Sequence, residues 1–187
     1  MAVAGAIAPS INRNAMRCCS SSSFVRPPAA IVAVVLLGAC ASIAGAEPRI
    51  APPLTATLLD GSRFSTAEQR GKVVLINFWA TWCAPCREEM PAIETFYTQN
   101  RARGLEVIAI SLDEPKDSAK VHDIARLYTF PVGLASMARY KGYGRIWRLP
   151  MTFVIDREGR LRDDITGRIA AVDLAFLEAR VAPLLGP

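Results

Sequence analysis

Apolar residues fall along the chain in different rhythms, and each rhythm predicts a different kind of element. From Val73 to Trp79 the run VVLINFW is β-branched and aromatic almost throughout, the pattern of a strand buried on both faces. Val107 to Leu112 (VIAISL) and Met151 to Ile155 (MTFVI) read the same way, and Phe130 to Leu134 is a shorter candidate. From Pro85 to about Arg103 the rhythm turns helical. Met90, Ile93, Phe96 and Tyr97 share one face there, while Arg87, Glu88, Glu94 and Gln99 fill the others. Pro91 predicts a kink in this helix, because it removes a backbone donor and displaces the carbonyl of Arg87. Gly104 predicts its end.

Lys116 to Tyr128 repeats the helical spacing, with Val121, Ile124, Ala125 and Tyr128 on one face. Beyond Met151 to Ile155, the turn residues Asp156 to Gly159 lead into a strand over Arg160 to Ile165, which makes a hairpin. Ala170 to Leu185 then closes the chain as an amphipathic helix, offering Val172, Ala175, Phe176, Ala179 and Val181 for burial, with a breaker at Pro183. A small hairpin is also predicted earlier, where Leu54 to Thr57 and Arg63 to Ser65 flank the turn pair Asp60-Gly61. Strands and helices in this order imply an α/β fold, a central mixed sheet with helices on both faces and an N-terminal hairpin extension.

A third rhythm precedes all of this. Ala29 to Ala46 (AAIVAVVLLGACASIAGA) has no charged residue, and it follows a Ser-rich segment bearing Arg13, Arg17 and Arg26. Residues 1–46 therefore read as an address rather than as part of the fold, and the prolines at 48, 52 and 53 mark a linker over 47–56 before a domain over 57–187. Three outcomes are open for the address. Leu37-Gly38-Ala39-Cys40 resembles a lipoprotein box, in which the chain is cut before Cys40 and that thiol is lipidated. Ala44-Gly45-Ala46 fits an ordinary secretory cleavage site. Uncut, the 18 apolar residues approach the roughly 20 needed for a membrane anchor. The lipoprotein box is preferred because the apolar region from Ala29 ends directly at it. Each outcome delivers the domain to the outer side of the membrane. Met16 is an alternative start to Met1.

Charge excludes one class of function. The formal net charge is +5, but +3 of it belongs to the three arginines of the address, and the remainder of the chain carries only +2. So small an excess argues against a nucleic-acid partner. Cysteine usage is more informative. Cys18, Cys19 and Cys40 all lie in the first 46 residues, which leaves Cys83 and Cys86 as the only thiols of the domain. One closely spaced pair builds no disulfide framework, but in an oxidising compartment it rests as a disulfide unless electrons are supplied.

The pair sits in Trp79-Ala80-Thr81-Trp82-Cys83-Ala84-Pro85-Cys86, between the strongest strand and the longest helix. A thiol at a helix origin lies at the positive end of the macrodipole and is stabilised as a thiolate, so Cys83 is the expected nucleophile. Cys86, three residues on, shares its side of the helix and is placed to resolve a mixed disulfide. Pro85 suits the first helical turn, and Trp79 and Trp82 offer flat apolar surface beside the sulfurs. Half of a zinc site is the competing reading. It lacks ligands, since only His122 accompanies the two cysteines and none stands at finger-like spacing. His122 itself falls among charged residues and is expected to face solvent. No metal or cofactor beyond the Cys83–Cys86 disulfide is implied.

Three blocks surrounding the pair resemble the TlpA-like group of thioredoxin-like proteins, which includes the reductases of cytochrome c maturation. They are Gly71 to Cys83 (GKVVLINFWATWC), Arg87-Glu88-Glu89-Met90-Pro91, and Leu149 to Asp156 (LPMTFVID). The resemblance extends from about Pro53 to Leu185 and implies a thioredoxin fold. It implies that Pro150 is a cis-proline facing the disulfide, with Leu149 touching bound substrate beside Trp82, whereas a trans proline opening an edge strand is the plainer alternative. Asn77 stands where thioredoxin itself has a buried acid. Glu89 matches an acid of the reductive members, where a partly buried carboxylate raises thiolate pKa and relays the Cys86 proton. The alternative is a solvent-exposed acid near the helix start.

By resemblance, the chain is a protein-disulfide reductase tethered to the inner membrane on its periplasmic side. It would draw electrons from a transmembrane thiol donor and act on oxidised apocytochrome c. A general oxidase or isomerase, and a reductant of a copper-assembly protein, are rivals within the same chemistry. A non-catalytic peptide-binding module is the rival outside it. The sequence departs from the group at Arg148, where many members have glycine, and at Met151, where threonine is common. Arg139, Lys141, Arg145 and Arg148 thereby crowd the approach to the active site, either steering an acidic partner or forming a solvated loop.

Overall fold

The computed structural model describes residues 49–164 and 172–187. The address with Cys40, the far end of the last strand at Ile165 and the predicted helix start at Ala170 lie outside the described residues. The strands are β1 (Thr55–Leu58), β2 (Arg63–Ser65), β3 (Val73–Trp79), β4 (Leu105–Ser111), β5 (Val132–Arg139), β6 (Met151–Ile155) and β7 (Leu161–Asp164). The helices are α1 (Ala84–Asn100), α2 (Ser118–Ala125) and α3 (Leu174–Arg180). All the strands join one mixed sheet in the order β2-β1-β5-β4-β3-β6-β7.

β3 is the strand around which the rest is arranged. It runs parallel to β4, from Val73 opposite Leu105 to Trp79 opposite Ser111, and antiparallel to β6, with Phe78 opposite Met151. Every one of its residues is buried. Alternate side chains feed two separate cores, as the strand period requires. Val73, Leu75 and Trp79 pack with Met90, Ile93 and Phe96 of α1, Val121 of α2 and Leu177 of α3. Val74, Ile76 and Phe78 pack instead with Phe64, Tyr143 and Phe153.

This arrangement differs from the predicted one in several places. Among the described residues, all three helices contribute to a single core, where helices were expected on both faces. The second core is closed by the hairpin strands and by Tyr140, Tyr143 and Ile146. Gly142, Gly144 and Pro150 punctuate the chain after β5 and limit it there to a short 3-10 turn over Lys141–Tyr143. The N-terminal hairpin extends the sheet as expected, β1 pairing with β5 as well as β2. Residues 47–56 are not a linker throughout. Ile50 bridges to Arg160, and Leu54 is fully buried and donates its N–H to Thr66 Oγ1 at 3.0 Å. Prolines are compatible with such edge segments, which is why they mislead as linker signals.

α1 continues through Pro91, and a short 3-10 turn then carries the chain to Gly104, whose left-handed φ of 90° ends it. α3 begins later than its apolar pattern suggests. Asp173 caps it by accepting the N–H of Phe176 at 2.7 Å, so Val172 lies outside the helix. Its buried residue is Leu177, and Ala175 and Ala179 face solvent, because the helical register is counted from Leu174. Among the described residues no helix is long and apolar enough to cross a membrane.

Phe153 sits where the second core is most aromatic, edge-on to Tyr143 at 4.9 Å and to Phe78 at 5.9 Å. Truncating it leaves a cavity that the surrounding rings cannot fill. Phe153→Ala should lower the unfolding free energy by about 3–5 kcal/mol in urea denaturation, and a loss below about 1 kcal/mol would contradict this packing.

Candidate active site

Strand β3, buried on both faces, delivers the chain to the edge of the sheet at Trp79, and α1 begins five residues later. Cys83 is the N-cap of that helix. Its Sγ accepts the backbone N–H of Cys86 at 3.3 Å, and Pro85 occupies the first turn. The two sulfurs are joined in a disulfide, with Cα atoms 5.3 Å apart. Cys83 keeps 6% of its surface at solvent and Cys86 none, so an incoming thiolate or disulfide meets Cys83. Beside it Trp82 is largely exposed. No acidic residue lies in the first turn of α1, which leaves the positive end of the helix dipole for the sulfur.

The loop from β3 to α1 is held by a carboxylate from the end of β4. Asp113, buried, accepts the Thr81 N–H at 2.8 Å and the Thr81 and Ser111 hydroxyls at 2.6 Å each, and its own N–H donates to Ser111 Oγ at 3.1 Å. Leu112 N–H donates to Trp79 O at 2.8 Å alongside. Thr81 is two residues before Cys83, so these bonds fix where α1 starts. Sequence reasoning passed over Asp113, Ser111 and Thr81. The available signal was Ser111-Leu112-Asp113, polar residues closing an apolar strand level with the end of β3.

One turn beyond Cys86, Glu89 is buried rather than exposed. Its Oε1 accepts Asn77 Nδ2 from β3 at 2.6 Å, and its Oε2 accepts the Val172 N–H at 3.0 Å. Asn77 Nδ2 also donates to Thr152 Oγ1 of β6 at 3.0 Å. A single carboxyl thus ties α1 to β3 and to the segment entering α3. Burial pushes the Glu89 pKa up to about 7, against the opposing pull of the Val172 and Asn77 hydrogen bonds. Glu88, the outward neighbour, is exposed.

Pro150 follows a cis peptide bond from Leu149. Met151 opposite Phe78 sets Pro150 level with Trp79, the last strand residue before the disulfide loop. Leu149 is half-buried and packs against both cores. Trp82, Cys83, Cys86, Glu89, Leu149 and Pro150 therefore gather at one end of β3. His122 is exposed on α2 and belongs to no part of this cluster. Among the described residues no group of His, Cys, Asp and Glu is arranged to hold a metal ion.

Removing the Asp113 carboxylate strands three donors. Asp113→Ala should cost roughly 2–3 kcal/mol of stability and speed hydrogen exchange at the Thr81 amide selectively. Unchanged exchange there would show that the loop is held by something else. For Glu89 the sign follows from its raised value. An acid bound more tightly to its proton in the folded than in the unfolded state contributes stability that is complete below about pH 4.5 and lost as pH rises through about 7. The oxidised protein should lose on the order of 3 kcal/mol relative to Glu89→Gln between these limits, and parallel pH profiles for the two proteins in urea titrations would refute it.

Comparison with known proteins agrees with this geometry. The family model described as AhpC/TSA family matches residues 49–164. The thiol-disulfide oxidoreductase ResA of Geobacillus kaustophilus is 34% identical over 124 residues, covering 66% of this chain and 71% of that protein. A ResA of Bacillus cereus is 31% identical over 137 residues, covering 71% of this chain and 77% of that protein. Among solved structures, a thioredoxin-family thiol:disulfide interchange protein from Chlorobium tepidum superposes with a TM-score of 0.64 at 30% identity, covering 76% of this chain and 100% of that one. With its disulfide at the origin of α1 and its relatives named for the same exchange chemistry, the chain belongs to the AhpC/TSA family and is a thiol–disulfide oxidoreductase of thioredoxin fold.

Proposed function

We propose that this oxidoreductase works as a reductase of protein disulfides on the outer face of the inner membrane, with oxidised apocytochrome c as its substrate. The observation that carries the direction is the burial of the Glu89 carboxyl one turn beyond Cys86. A strong oxidant of this fold owes its potential to thiolates that the protein stabilises. A buried carboxyl on the same helix face does the opposite, since its negative charge penalises a neighbouring thiolate. The reduced form then holds its electrons less firmly and donates them.

In the reaction the Cys83 thiolate attacks one sulfur of the substrate disulfide, forming a mixed disulfide and releasing the first substrate thiolate. Glu89, positioned by Asn77, accepts the Cys86 proton. The resulting Cys86 thiolate attacks Cys83 Sγ, which closes the protein disulfide and releases the second substrate thiol. Two electrons pass from protein to substrate, and a transmembrane thiol donor restores them. Trp82, Leu149 and Pro150 line the approach to Cys83 and hold the substrate backbone. Residues 1–46 supply the tether, through lipidated Cys40 or an uncut apolar span, and the uncharged run Ala29 to Ala46 supports that placement.

Cys86→Ala tests the exchange step. It should accumulate disulfide-linked partners through Cys83, visible as adducts that dithiothreitol releases on non-reducing gels. An absence of adducts would favour a module that binds peptides without chemistry. Redox titration tests the direction, with a potential near the thioredoxin value of about −270 mV expected and one near −120 mV contradicting reduction.

A further inference from the structure

After Leu134, which is level with Ser111 and Trp79, β5 parts from β4, stays paired with β1 as far as Arg139, and begins an excursion that returns beside β3 at Met151, opposite Phe78. Both ends of this excursion are thus anchored at the edge where β3 meets the disulfide loop. Between them lie Arg139, Lys141, Arg145 and Arg148, all exposed, and no Asp or Glu occurs anywhere between Asp123 and Asp156. None of the four is ion-paired among the described residues. Tyr140 and Tyr143 anchor the excursion by packing on Phe78 at 5.1 and 6.5 Å between ring centroids. A groove of about 770 Å³ runs along it, lined by Pro53, Ala135, Ala138, Arg139, Tyr140 and Lys141.

The aromatic content of this wall is as unusual as its charge. Trp147 is 62% exposed, with the Arg148 guanidinium 4.7 Å above its ring, and Trp82 is 70% exposed on the disulfide loop. Exposed tryptophan and arginine are the residues that most often anchor a protein interface. Trp82 immediately precedes the sulfur that exchanges, and Trp147 and Arg148 immediately precede Leu149 and the cis-Pro150.

We infer that the excursion over residues 135–150 is the specificity surface of the enzyme, and that it selects disulfide partners whose cysteines are flanked by acidic residues. The inference rests on Cys83 being the exchanging sulfur, and adds the partner's chemistry to it. Charge complementarity argues for an acidic polypeptide, because unpaired cations raise the local concentration of an anionic partner at the point of attack. A phospholipid surface offers the same sign of charge. Lying on this wall, however, it would cover Cys83 and Leu149, whereas a polypeptide partner has to lie there to react.

The reduced protein is mixed with two looped peptides sharing one Cys-x-x-Cys disulfide, one flanked by glutamates and the other by lysines, and exchange is followed by tryptophan fluorescence. The acidic peptide should react about ten-fold faster at about 20 mM salt, and the advantage should shrink to about two-fold at about 500 mM. The doubly reversed variant Lys141→Glu with Arg145→Glu should invert the ratio, a comparison made within one protein and therefore independent of its overall activity. Equal rates at low salt, or an uninverted ratio in the variant, would overturn the inference while leaving disulfide exchange intact. No exchange with either peptide would overturn both. Co-sedimentation of the protein with phosphatidylglycerol vesicles that blocks the acidic peptide would assign the surface to a membrane and also overturn it.

Discussion

Everything at the site follows from a strand that is apolar on both faces and has to stop. β3 feeds two cores at once, so its position is fixed by packing above and below, and the chain leaving it at Trp79 has little freedom in where it goes. The loop that follows is short, and Asp113 takes up its donors. Cys83 is consequently presented as a helix cap at the edge of a rigid layer. Sites built on such scaffolds hold their reacting atoms more precisely than sites carried on free loops.

The same strand carries a single polar side chain, and it is buried. Asn77 takes the place in the pattern where an apolar residue would otherwise face α1, and its amide meets Glu89 and Thr152. A buried carboxyl without such partners would be far costlier. Asn77 bonds to it without any proton of its own to exchange, so the titration belongs to Glu89 alone. This division of labour separates the present site from one in which the strand supplies the acid.

Much of this was legible in the sequence because it rests on local pattern. VVLINFW and MTFVI gave strands with the observed limits, since a run buried on both faces has no competing period, and the cysteine pair named itself by falling between strand and helix. Contacts between distant segments left weaker traces. Asp113 is separated from Thr81 by a whole helix and strand, and nothing in either neighbourhood marks the other. The prolines at 52 and 53 argued for a linker where Leu54 is in fact fully buried, because proline reports a missing donor and not a missing core. The start of α3 misleads for a related reason: an apolar Val172 reads as helix, whereas the cap at Asp173 starts it afterwards. Glu89 was recognisable by resemblance, but its bond to the Val172 N–H, 83 positions away, was not.

That bond has a consequence for the far end of the chain. The backbone entering the C-terminal helix is fastened to the carboxyl one turn beyond Cys86, so the docking of that helix and the proton inventory of the redox centre are two readings of one contact. Loosening the tail would admit water to the carboxyl and let it ionise more readily. A protein clipped within its last helix would therefore be altered in its redox behaviour, even with both cysteines untouched.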